Sequence, residues 1–179
     1  MSKKVLVLSG SPRKGGNSEM LCDELIKGAL KSNNQVEKIF MRDKAINYCF
    51  GCEACQNNGG KCVHKDDMAE ILEKMIAADV IVMATPVYFY TMDGQMKTLI
   101  DRTVARYTEI KNKEFYFIMT AAVERKQMLG RTLECFRGFT DCLEGATEKG
   151  VVYGTGAWKK GDIEGSPAMK QAYDFGKNI

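Results

Sequence analysis

VLVLSGSPRKGGNSEML, residues 5–21, decides how the chain is read. The apolar run Val5–Leu8 enters a knot of Ser, Gly, Arg and Asn, after which apolar residues return at helical spacing. Ser9, Ser11 and Ser18 bring hydroxyl groups, while Gly10, Gly15 and Gly16 let backbone amides approach an anion closely. Asn17 or Ser18 can cap the helix that follows, whose free N–H groups and dipole attract negative charge. Arg13 adds a forked, permanent cation. This is a loop suited to phosphate; the bland alternative is a Ser/Gly-rich turn between strand and helix. Two common phosphate patterns are excluded. Lys14 precedes the Gly pair, which rules out the G-x4-G-K-[ST] spacing, and the glycine separations do not fit G-x-G-x-x-G.

Working outward, strand signals alternate with helical ones. Strands are predicted at Lys4–Ser9, Gln35–Met41, Asp79–Thr85, Glu114–Ala122 and Lys149–Tyr153. Helices are predicted at Ser18–Lys31, Asp66–Ala78, Asp93–Arg106, Gln127–Leu143 and Pro167–Lys177. The run DVIVMAT, 79–85, is almost continuously apolar, as in a strand covered on both faces. Alternating strands and helices imply right-handed crossovers and a parallel sheet. The expected fold is α/β, doubly wound and five-stranded, in the order 2-1-3-4-5, with ligands beyond the carboxyl ends of strands one and three. Residues 1–179 are read as one domain, with a Cys-rich insertion loop at about 46–65.

The 179 residues are 45% apolar and 27% charged, the composition of a soluble globular protein. Val5–Leu8 is too short for the apolar core of a signal peptide, and no stretch approaches the ~20 apolar residues of a membrane span. A cytoplasmic protein with no membrane partner is expected. The net charge of +3 is interspersed, as in EKIFMRDK, so nucleic acid is not an expected partner.

Ser9-Gly10-Ser11-Pro12-Arg13…Gly16-Asn17-Ser18 resembles the FMN phosphate loop of the flavodoxin-like NAD(P)H-dependent FMN reductases. The resemblance continues in Ala84-Thr85-Pro86-Val87-Tyr88-Phe89-Tyr90 and in DGQMKTLIDR, 93–102. It implies that Ser9, Ser11, Arg13, Gly16, Asn17 and Ser18 hold the FMN phosphate, that Pro86, Val87, Tyr88, Phe89, Tyr90 and Thr91 line the ring, and that Thr120, Ala121 and Ala122 complete the site. It further implies NAD(P)H as co-substrate, a flavin, quinone or similar small acceptor, and a homodimer or homotetramer. No catalytic side chain is implied, because FMN carries the chemistry. The segment 154–167, with Trp158, is read as a partner-facing arm, a cover for the site or a plain loop.

Cys49, Cys52, Cys55 and Cys62 form a compact set among seven cysteines. Successive C-x2-C steps let a loop fold round a metal centre, and the motif resembles that of iron–sulfur flavoproteins carrying a [4Fe–4S] cluster. Zinc on four thiolates and free, metal-less cysteines are the alternatives. With a cluster the protein would be an electron carrier exchanging with a ferredoxin-like partner; without one, a plain reductase. A flavodoxin-type shuttle is disfavoured by the positive charge. Cys22, Cys135 and Cys142 are expected in the core. The single histidine, His64, lacks a second imidazole to share a metal and is read as a surface residue.

Overall fold

The computed structural model describes residues 2–179. Six strands form: β1 (Lys4–Ser9), β2 (Gln35–Phe40), β3 (Val80–Tyr88), β4 (Thr91–Met92), β5 (Glu114–Thr120) and β6 (Thr147–Gly154). Five helices accompany them: α1 (Asn17–Lys31), α2 (Met68–Ala77), α3 (Gly94–Arg102), α4 (Gly130–Thr140) and α5 (Pro167–Lys177). The main sheet runs β2-β1-β3-β5-β6 and all its pairings are parallel. This is the expected 2-1-3-4-5 order of a flavodoxin-like sheet, with the two-residue β4 added antiparallel to β3.

Alternation along the strands divides the core in two. Leu6, Leu8, Ile81, Met83, Phe115 and Phe117 face α2, α3 and α4. Val5, Val7, Val80, Val82, Tyr116 and Ile118 face α1 and α5. Phe117 stacks on Phe136 of α4 with ring centroids 4.8 Å apart. On the other face α1 and α5 approach backbone to backbone. A Cβ at Gly28 would collide with the Tyr173 carbonyl oxygen, and one at Gly176 with that of Leu25.

Several expectations shift. The third strand does not stop at Thr85. It continues through Pro86, whose missing N–H is tolerated near the strand end, and turns at Phe89-Tyr90 into β4. Both turn residues have positive φ, 50° and 64°, as a two-residue hairpin requires. The predicted helix 93–106 ends at Arg102 and breaks into short 3-10 turns, and the predicted helix 127–143 is α-helical only over Gly130–Thr140. Cys22 is buried, which pushes its thiol up to about 12, but Cys135 and Cys142 are exposed rather than in the core. Cys135 falls on the solvent side of α4, whose inner face is taken by Leu133, Phe136 and Phe139, and Cys142 lies in the turn just past the helix. No helix among the described residues is long and apolar enough to cross a membrane.

The Gly176→Val substitution should force α1 and α5 apart. A loss of about 1–3 kcal/mol, typical of overpacking, is expected as a lower urea midpoint with an unchanged slope; an unaltered midpoint would show that the helices do not pack this closely.

Candidate functional site

The loop leaving β1 folds against the start of α1. Gly10 N–H donates to the Ala84 carbonyl at 2.8 Å, extending the β1–β3 ladder by one rung. Arg13 N–H donates to Ser11 Oγ at 3.3 Å, and Gly15, at φ 63°, turns the chain into the helix. Gly16 occupies the N-cap position and no side chain caps α1, contrary to the expected role of Asn17 or Ser18. The N–H groups of Asn17, Ser18 and Glu19 in the first turn therefore have no protein acceptor among the described residues. They carry the positive end of a fifteen-residue helix dipole. Outside the loop, Glu19 accepts from Gly15 N–H and from Arg42, each at 2.8 Å. Burial pushes the Glu19 carboxyl up, but those two hydrogen bonds outweigh it and its pKa is lowered. Arg42 also donates to the Arg13 carbonyl at 3.2 Å and so braces the loop from behind.

A cleft of about 170 Å³ opens beside the loop. Ser11, Arg13, Gly16, Asn17 and Ser18 line one side, Pro86, Val87 and Tyr88 another, and Thr120 and Ala121 the floor. Ser18 and Thr120 share a hydroxyl hydrogen bond of 2.6 Å. Eleven of the fifteen residues expected at a flavin thus meet in one place. Four do not line it. Ser9 is buried at the end of β1 with its Oγ unpartnered, and Phe89, Tyr90 and Thr91 ride on the hairpin outside the cleft. Phe89 is 99% exposed. Tyr90 is anchored through its carbonyl, which accepts from Thr132.

Ala122, expected with Thr120 and Ala121, lines the cleft beside them; sequence reading missed Ala157 and left the role of Trp158 open, and both line it too. The segment after β6 is clipped to both neighbours. Gly156 and Ala157 N–H donate to the carbonyls of Val123 and Ala121. Arg13 donates to the Trp158 carbonyl at 3.3 Å. Asn17 uses both ends of its amide, donating to the Lys159 carbonyl at 2.8 Å and accepting from Gly161 N–H at 2.9 Å. Asn17 is thus a latch for this cover, and its side chain is already spent.

Beneath the loop lies Asp93, which is 1% exposed. Its Oδ1 caps α3 by accepting from Met96 N–H at 2.9 Å, while Oδ2 has no partner. The carboxylate presses on Gly10, where an added Cβ would lie 2.6 Å from Oδ1. Burial raises its pKa to about 6, against the opposing hydrogen bond from Met96 N–H.

The cysteine loop crosses the other face of the sheet. Cys49, Cys52, Cys55 and Cys62 all line one cavity of about 230 Å³, with His64 and Arg102. No three His, Cys, Asp or Glu side chains among the described residues converge on a single ion position. The thiols ring a space rather than a point. Arg102 donates to Cys62 Sγ at 3.5 Å and to both Asp66 oxygens, at 2.7 and 2.9 Å. Burial pushes Asp66 up, but the hydrogen bonds from Arg102, Asn47 and Met68 hold its carboxyl well below the usual range. His64 is half-buried, with its ring against Phe50 at 4.3 Å and Nε2 unpartnered, so it faces the cysteine cavity rather than solvent.

A doubly wound sheet with an amide- and hydroxyl-lined cleft at its switch point defines a flavodoxin-like protein. The profile of the NADPH-dependent FMN reductases matches residues 3–133, and the chain belongs to that family. An iron-sulfur flavoprotein of Archaeoglobus fulgidus is 41% identical over 99 residues, covering 55% of this chain and 44% of the relative. Another, from Methanocaldococcus jannaschii, is 42% identical over 100 residues, covering 56% and 51%. The chain spans about half the length of these curated relatives. The FMN-dependent NADH-azoreductase of Bacillus anthracis, solved in complex with FMN, has the same fold, with a TM-score of 0.74 at 15% identity over 99% of both chains.

Asp93 has a thermodynamic signature. Its carboxyl holds a proton to higher pH in the folded state than in the unfolded one, so stability is lost between about pH 4 and 6. Asp93→Asn keeps a capping oxygen and removes the charge. It should raise the unfolding free energy by about 2–3 kcal/mol at pH 7 and by little at pH 4; equal gains at both would mean that the carboxylate is not the cause.

Proposed function

We propose that this chain is an FMN-dependent oxidoreductase that takes reducing equivalents from NADH or NADPH and passes them to a flavin, a quinone or a similar small acceptor. The observation that carries this reading is the cleft between the uncapped N-terminus of α1 and the Pro86–Tyr88 wall. Free helix N–H groups, the Ser11 and Ser18 hydroxyls and Arg13 suit a phosphate dianion. The cleft is smaller than the ~300–1,000 Å³ of ligand-enclosing pockets, so it would hold the phosphate and polyol end and leave the ring at the open edge beside Tyr88. Bound FMN supplies the redox chemistry; the protein binds it, orients it and shields part of it from water.

A second reading adds a [4Fe–4S] centre, making the protein an electron carrier toward a ferredoxin-like partner. It is favoured by four thiols around one cavity and by the iron-sulfur flavoprotein relatives. Cys49, Cys52, Cys55 and Cys62 would hold the cluster, and a space ringed by thiols fits several metal atoms better than one zinc ion. In either reading residues 1–179 act as one flavodoxin-like domain, and seven free cysteines suit a reducing, cytoplasmic setting. The exposed Phe89 hairpin, with Tyr48, Phe50 and Val63 on the cysteine loop, favours a homodimer or homotetramer.

Anaerobically purified protein should show flavin absorption that NADH or NADPH bleaches. Iron and acid-labile sulfide in addition would select the second reading. Arg13→Ala should weaken FMN binding about 10–100-fold in a flavin fluorescence titration, the worth of one charge-assisted hydrogen bond. Unchanged affinity would put the phosphate elsewhere.

A further inference from the structure

Arg102, the last residue of α3, is 2% exposed and is the one permanent cation lining the four-cysteine cavity. Its two terminal nitrogens are fully used, while Nε is buried without a partner. Nη1 donates to the Asn47 carbonyl at 2.5 Å and to Asp66 Oδ2 at 2.7 Å. Nη2 donates to Asp66 Oδ1 at 2.9 Å and to Cys62 Sγ at 3.5 Å. An ion pair that served only to fasten the loop would need the carboxylate and carbonyl bonds. The fourth, to a cysteine sulfur, places buried positive charge against a candidate ligand atom.

We infer that Arg102 raises the reduction potential of the iron–sulfur centre proposed above, and that Asp66 offsets part of that effect. The inference rests on the cluster reading. Reduction adds one electron, supplied by NAD(P)H through the flavin, and breaks no bond; it makes the cluster and its four thiolates more negative. A guanidinium touching one sulfur favours that state, and an N–H···S hydrogen bond withdraws charge from the ligand. Asp66 bears the opposite charge on the same fork. Removing either partner breaks the same pair, so a fastening role gives both variants a shift of one sign. A charge role gives opposite signs.

The test is an EPR-monitored redox titration of the anaerobically purified full chain, with iron and sulfide measured in every sample. Arg102→Gln is expected to disfavour reduction at least tenfold, about 59 mV for a one-electron couple, while Asp66→Asn shifts the potential upward. Arg102→Lys keeps the charge and should stay within threefold of the parent, which decides the matter should the other two variants not hold iron. Loaded Gln and Asn variants that shift in the same direction, or not at all, overturn the inference, as does a tenfold fall in loaded Arg102→Lys. Parent protein free of iron and sulfide overturns the cluster reading and the inference together. A loaded parent with insensitive variants overturns the inference alone.

Discussion

The rung from Gly10 N–H to the Ala84 carbonyl, 2.8 Å long, holds the carboxyl ends of β1 and β3 side by side. Beyond it the chains part. β1 feeds α1 on one face of the sheet, and β3 passes through its hairpin to α3 on the other. The cleft exists because these connections diverge from adjacent strands, as they must at a switch point. Residues far apart in the chain, Ser18 and Thr120 for example, meet there only because the two ladders of β3 are in register.

Gly10 illustrates how one residue type answers to different constraints. In the sequence it reads as a glycine that lets backbone approach phosphate. In the fold its bare Cα leaves room for the Asp93 carboxylate, which any side chain would strike. Gly15, by contrast, needs its left-handed backbone to turn into α1.

Two buried aspartates show what surroundings do to one functional group. Asp93 has an unpaired oxygen, and burial alone carries its pKa to about 6. Asp66, less deeply enclosed, is held far down by the Arg102 fork and two backbone N–H groups. The first sits under the loop that leaves β1 and the second beside Cys62. The two candidate sites thus differ in the electrostatics of their foundations: an uncompensated carboxylate below one, a compensated ion pair below the other.

The strand order, the place of the hydroxyl-rich loop at the cleft and the grouping of four cysteines were all legible in the sequence. Each depends on local pattern: apolar runs of strand length, a hydroxyl-rich turn before a helix, and ligand-type residues a few positions apart. What the chain could not reveal by itself depends on contacts between distant segments. Phe89-Tyr90 lacks the Asn-Gly signature of a hairpin turn, so its positive φ angles, and with them the exposure of Phe89, emerge only where β4 pairs with β3. Asn17 becomes a latch because the segment after β6 returns to it 142 residues later. Arg102 reads as an ordinary helix-end arginine until the fold carries Cys62 and Asp66 to its fork. Local periodicity sets the elements and their order; which polar groups are stranded, paired or aimed at a sulfur is set by burial, a property of the packed molecule alone.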